Sequence, residues 1–253
     1  MLCHVRRLID ICCSSPIALL TTPFLLLLLL LLPQKTEHAD FVNSVFGVTV
    51  LKLKTCMTCG NMRTRAVTEK NLALEVKGIE TVEEALQNWG ASELMDGENK
   101  VECDRCKERR ATRMQPAFGH TPCHLVLHLK RFALDYTTFE TVKVNDRQSF
   151  PTVLNMKPFS KVGILEADEA AAAGPDGAVK SSDAPLDPRY EYHLHGVLIH
   201  AGVAGGGHYY SYIRDDETGE WNKFDDDVVT PWDPCNMERD CFGGTMTVMR
   251  KKQ

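Results

Sequence analysis

No basic stripe with interleaved aromatics runs anywhere in these 253 residues, and Lys plus Arg (29) fall short of Asp plus Glu (34). A net charge of −5 removes the long-range attraction to phosphate that a nucleic-acid binder relies on. No βαβ pattern surrounds either Cys-x-x-Cys pair, so the usual setting of a thioredoxin-like redox site is missing. No Ala-x-Ala cleavage site follows the one long apolar run, residues 17–32. An obvious activated nucleophile is also lacking. What is left is ordinary for a globular domain with a sizeable core, 43% apolar and 25% charged, and it points to one main domain acting on proteins or peptides.

Residues 17–32 are apolar apart from Thr21, Thr22 and Pro23, with Arg6 and Arg7 ahead of them. On physical grounds this is a signal-peptide core or a short membrane anchor, although Pro23 interrupts it and it is shorter than the roughly 20 residues of a comfortable span. A second reading lies in the nucleic acid. A pyrimidine tract encodes leucines with Pro, Phe and Ser, and Leu32-Pro33-Gln34 matches its end followed by a CAG splice acceptor. Residues 1–34 are therefore expected to be either retained intron or a leader, with the domain occupying 40–253.

From Asp40 onward the pattern is α+β. Residues 48–54 alternate apolar and polar as a strand should. Thr81-Val-Glu-Glu84 is a capping box opening a short helix with Val82, Ala85, Leu86 and Trp89 on one face and Gly90 at its end. Strands are expected at 125–132, 190–200, 208–214, 220–224 and 245–249, with a hairpin turn at 215–219. Residues 163–189, rich in Ala, Gly, Pro, Ser and acid without an apolar period, read as a disordered insertion.

Four of the ten cysteines form two knuckles, Cys56-Met-Thr-Cys59 and Cys103-Asp-Arg-Cys106. Each aims two thiolates at one point, and two together supply the closed tetrahedral shell of a structural zinc ion. Reduced bystander thiols are the alternative. A metal-binding role fits a reducing compartment.

Near the C-terminus a glycine run leads into His208-Tyr-Tyr-Ser-Tyr, and Trp221-Asn-Lys-Phe224-Asp225-Asp226-Asp227 follows after a turn. Asp225, 17 residues beyond His208, stands where a hairpin would return its carboxylate to the imidazole. The arrangement expected is Asp225 on Nδ1–H, fixing the tautomer so that Nε2 faces a thiol. Asp227 reads as a solvated acid. His193, His195 and His200 read as packing or hydrogen-bonding residues.

These stretches, with Asp40-Phe-Val-Asn-Ser-Val-Phe-Gly47, Leu94-Met-Asp-Gly97, His128-Leu-Lys-Arg-Phe132 and Phe150-Pro151, resemble the C-terminal half of a ubiquitin-specific protease domain (peptidase C19) over residues 40–251. The resemblance implies a papain-like palm with an antiparallel sheet, zinc-ribbon fingers that grip ubiquitin, and a missing N-terminal thumb lobe. It implies hydrolysis after the C-terminal glycine of ubiquitin, with ubiquitin and ubiquitinated proteins as partners and a cytoplasmic or nuclear location; the alternative is membrane association through 17–32. By position, His208 is the catalytic histidine, Asp225 its orienting acid and Asp226 a secondary assistant.

The departure from the family is its Asn-Thr-Cys-Tyr type nucleophile motif, which nothing here matches. Cys3, Cys12, Cys13, Cys123, Cys235 and Cys241 lie outside any such context. The chain as written is expected to lack hydrolase activity, leaving either a partial deubiquitinase or an inactive ubiquitin-binding scaffold. The segment 245–249 also lacks the aromatics expected of the family's last strand.

Overall fold

Two main sheets meet along one side of a shared apolar core in the computed structural model, which describes residues 7–11, 37–173 and 186–244. In chain order, strand β1 (Arg7–Ile11) and helix α1 (Glu37–Phe46) precede two long strands, β2 (Val48–Cys56) and β3 (Met62–Glu69). Strand β4 (Leu72–Glu75) leads to helix α2 (Val82–Trp89). Then come β5 (Glu93–Met95), β6 (Val101–Cys103), β7 (Glu108–Arg110), β8 (Thr112–Phe118) and β9 (His124–Lys130). A hairpin of β10 (Phe132–Asp135) and β11 (Glu140–Lys143) is followed by β12 (Val153–Asn155) and helix α3 (Lys161–Ala173). A meander closes the chain: β13 (Glu191–Val203), β14 (Gly206–Arg214), β15 (Trp221–Asp225) and β16 (Val228–Pro231), then the short helix α4 (Met237–Cys241). The architecture is α+β, as expected, and mostly antiparallel.

The larger sheet runs β16-β15-β14-β13-β1-β9-β4, with β12 on the start of β13. Its middle is parallel: β1 pairs with both β9 and β13, and β4 with β9. Parallel strands are covered on both faces and must be apolar throughout. Accordingly Leu72, Leu74, Leu125, Leu127 and Leu129 are all essentially inaccessible. Helix α2 covers part of this sheet with Val82, Ala85 and Leu86. Its start is the anticipated box: Thr81 Oγ1 accepts from the Glu84 N–H at 3.0 Å, and the Glu84 carboxylate accepts from the Glu80 N–H at 3.1 Å. Arg131 is buried, and its guanidinium donates to the carbonyls of Val144, Asp146 and Phe242, tying the segment after α4 to the start of the β10–β11 hairpin.

The smaller sheet, β3-β2-β8-β5, extends from the core and carries the cysteine knuckles. One face is covered by α3, where Ile164 packs with Leu53 and Ala117, and Arg113 grips the Asp168 carboxylate through both Nη atoms. This helix corrects the expectation for 163–189, whose first part is regular. Its sequence from Leu165 is Ala- and Glu-rich, which favours helix. The Ser160 hydroxyl accepts from the Gly163 N–H at 3.0 Å at its start. Gly163 is needed there, because a Cβ would lie 2.0 Å from the Lys157 carbonyl oxygen. Residues 174–185, the apolar run 17–32 and the anticipated strand 245–249 lie outside the described residues. Among the described residues no helix is long and apolar enough to cross a membrane.

Candidate active site and metal centre

Strands β13 and β14 are joined by a glycine-rich turn, and their register sets Ala201 opposite His208 and Gly202 opposite Gly207. Gly202 has φ +112, and a Cβ on it would meet Gly206 and Gly207 at 2.9 Å. A Cβ on Gly207 would come within 2.1 Å of His200 Nε2 and 2.4 Å of the Ala201 carbonyl oxygen. The glycines are thus required by close approach of two backbones and a buried ring. The same run, with Phe132, Glu140, Thr141, His200 and Tyr209, lines a groove of about 670 Å³.

Strand β14 then pairs with β15, Ser211 opposite Phe224, which brings Asp225 back beside His208. His208 Nε2 lies 2.5 Å from Asp225 Oδ1. This corrects the expected orientation: the nitrogen on the carboxylate is Nε2, and Nδ1 makes no hydrogen bond among the described residues. Asp225 also takes Lys223 Nζ on Oδ2 at 2.5 Å, and that ammonium sits 4.2 Å above the Tyr210 ring. Tyr210 stacks at 6.5 Å on His208. The hydrogen bond that His208 donates to Asp225 raises the His208 pKa, and desolvation opposes it. Lys223 first, then His208, holds the Asp225 carboxyl below the usual range.

Asp226 and Asp227 are the two turn residues between β15 and β16, and Asp226 has φ +53. Such tight hairpins need a left-handed residue, which aspartate tolerates. Oxygens of Asp225 and Asp226 and a ring nitrogen of His208 all lie within 4.8 Å of one another, and no thiol shares this cluster among the described residues. Asp227 is exposed, as expected of a solvated acid. Of the other histidines, His193 pairs with Glu191 at 2.8 Å and His195 lies 3.5 Å from Asp216. His200 is buried between Phe132 and Tyr209. Lys223 is the residue that sequence reading missed. Its signal was its place two residues before Asp225, on the same face of the strand.

At the end of the smaller sheet, Cys56, Cys59, Cys103 and Cys106 converge with all four sulfurs within 4.8 Å. Cys59 and Cys103 approach to 3.6 Å, close to the ~3.8 Å between sulfurs that a tetrahedron with Zn–S of about 2.3 Å requires. Backbone N–H groups in the knuckles support thiolate: Cys106 N–H first pulls Cys103 down to about 6, and Cys59 N–H first lowers Cys56. Cys106, hydrogen-bonded to Cys59 and crowded by the other thiols, is pushed up to about 12. Without a cation the four cannot all ionise, whereas a divalent metal would hold them as thiolates. The donor set therefore fits zinc, in a closed shell with no position left for a substrate.

The family described as ubiquitin carboxyl-terminal hydrolase matches residues 24–245. This chain belongs to the ubiquitin carboxyl-terminal hydrolase family. Among curated members, ubiquitin carboxyl-terminal hydrolase 24 of Mus musculus is 32% identical over 202 residues, 76% of this chain and 8% of that protein. Ubiquitin carboxyl-terminal hydrolase 47 of Xenopus tropicalis is 30% identical over 236 residues, 78% of this chain and 17% of that protein. The fold matches the solved SAGA Ubp8/Sgf11/Sus1/Sgf73 DUB module bound to ubiquitin aldehyde, with TM-score 0.63 and 23% identity over 85% of this chain and 44% of that one. A second solved structure of the same module, bound to monoubiquitin, gives TM-score 0.63 and 24% identity over 84% of this chain and 42% of that one. The chain thus spans less than a fifth of these hydrolase relatives' length and less than half of the solved chains.

Proposed function

We propose that this chain is the part of a thiol-dependent deubiquitinase that carries the histidine and its orienting carboxylate. His208 is the base and acid, Asp225 orients and charges it, and Asp226 assists from the turn. The observation that carries this reading is the 2.5 Å contact between His208 Nε2 and Asp225, which holds the ring with Nδ1 presented for a thiol. In the reaction proposed, Nδ1 takes the thiol proton and the thiolate attacks the carbonyl carbon of the last glycine of ubiquitin. The imidazolium then protonates the departing lysine amine, and water cleaves the thioester, restoring the thiol. The glycine run beside the groove suits a slender glycine-ended tail. The thiol comes from chain outside the described residues, and zinc in the four-cysteine cluster is structural. A metal-binding role for the two knuckles suits a reducing compartment, cytoplasmic or nuclear.

Ubiquitin carrying a thiol-reactive group at its C-terminus tests the reading. A form of this protein that includes the nucleophile is expected to label covalently, and His208→Ala is expected to abolish labelling. A longer natural form that fails to label would overturn it. The thiol-free cluster at His208 favours a second reading, an inactive ubiquitin-binding scaffold, for which reversible capture of unmodified ubiquitin without labelling is the expected result.

A further inference from the structure

Strand β14 sends His208, Tyr210 and Tyr212 to one face of the larger sheet, because alternate residues of a strand share a side. Tyr212 stands directly opposite Lys223, so Lys223 and Asp225 of β15 belong to that same face. The Asp225 carboxylate has two oxygens to satisfy: Oδ1 meets His208 Nε2 and Oδ2 accepts from Lys223 Nζ, each at 2.5 Å. The Tyr210 ring fixes the ammonium from a second side, 4.2 Å away, and stacks in turn on His208. Lys223 thus has two partners, and both touch the histidine.

A carboxylate held through one oxygen alone can turn about its last torsion, which is broad and roughly two-fold. An ammonium on Oδ2 closes that freedom and leaves Oδ1 aimed at the ring. The same cation opposes protonation of the imidazole. Asp225 on β15 and Asp226 in the turn after it both favour imidazolium, and Lys223 is the charge among the described residues that works against them. Tyr210 is the titratable neighbour on the histidine's own strand, and β13 sets the neutral Ala201 opposite His208.

We propose that Lys223 is a positioning residue of this pair: it clamps Asp225 Oδ2 so that Oδ1 meets Nε2, and its charge keeps the His208 ring neutral, ready to take a proton, down to a lower pH than the two aspartates alone would allow. The inference rests on the reading of His208 as a base and adds what sets its working range. Tyr210 takes part through the lysine, because its ring face gives the ammonium an electrostatic hold beyond the carboxylate.

The test is an NMR titration of the His208 ring in the full chain, its signals identified by their loss in His208→Gln. Lys223→Met is expected to raise the proton affinity of His208 about threefold, the effect of removing one unit charge ~6 Å away in water. Lys223→Arg, which keeps the charge and the donors, is expected to restore the original value. Tyr210→Leu is expected to act in the same direction as Lys223→Met, by less. The control is Lys70→Met, at an exposed lysine between β3 and β4, and it is expected to change nothing. Thermal melting of each variant reports whether the sheet stays folded. An unchanged or lowered proton affinity in folded Lys223→Met, or no recovery in Lys223→Arg, would overturn the proposal. In a form that includes the nucleophile, the pH profile of labelling by the ubiquitin probe is expected to move to higher pH with Lys223→Met. A shifted His208 titration with an unmoved profile would overturn the hydrolase reading and leave the coupling of Lys223 to His208 standing.

Discussion

The four-cysteine cluster and the His208–Asp225 pair are built on opposite plans. The cluster draws four donors from two knuckles, two of them buried, and closes on itself. The pair lies half-exposed on neighbouring strands, holds one ring nitrogen and leaves the other open. A closed donor set holds parts of a chain together, whereas an open one meets something that arrives. Folding should therefore depend on the first and chemistry on the second.

The largest expected effect comes from the closed site. Chelation of zinc, or Cys103→Ser, is expected to lower the melting temperature by roughly 10 °C or more and to release the knuckles, read by calorimetry and hydrogen exchange. If melting is unchanged, the cluster is four bystander thiols and the contrast fails. Gly207→Ala comes next, because its methyl would overlap the His200 ring and the Ala201 carbonyl. A cost of about 1–3 kcal/mol in denaturant unfolding is expected from overpacking, together with displacement of the His208 resonances. Thr81→Ala, remote from both sites, should cost about 1 kcal/mol through loss of the helix cap, which calibrates the other two.

The smallest effect on folding is expected from Asp225→Asn, with melting nearly unchanged while the His208 pKa, followed by NMR, falls toward its ordinary value. The sign follows from linkage. A raised histidine pKa contributes stability below the unfolded value and loses it as pH rises through the folded one. A lowered aspartate pKa contributes above its unfolded value and loses it as pH falls. The pair therefore favours folding most between about pH 4 and about pH 6.5, and Asp225→Asn should remove this pair's share of the loss of stability on either side of that window.

The same contrast explains what could be read from the sequence. The knuckles were legible because both ligands of each lie three residues apart, so local geometry suffices. Pairing His208 with Asp225 was legible because one hairpin separates them. Which nitrogen faces the acid was not, since that depends on the rotamer of the His208 side chain, which strand spacing does not fix. Helix α3 was hidden because Gly163 and the Pro- and Ser-containing stretch after it resemble a linker. Its commitment to helix comes from Ile164 and Asp168 meeting partners on β2 and β8, more than 40 residues away in sequence. Strand β1 gave no signal at all: five residues beside an apolar run carry no period of their own, and only β9 and β13 on either side define them as a strand.

The position of β1 also sets a schedule for synthesis. Arg7 pairs with His193, so one of its two neighbours is made long after it. At ~5–20 residues per second, a ribosome needs on the order of 10–40 s between them. For that interval an edge of the future central strand is unsatisfied, and the nascent chain is at its most vulnerable to foreign strands. Chaperone demand should accordingly peak just before β13 leaves the exit tunnel.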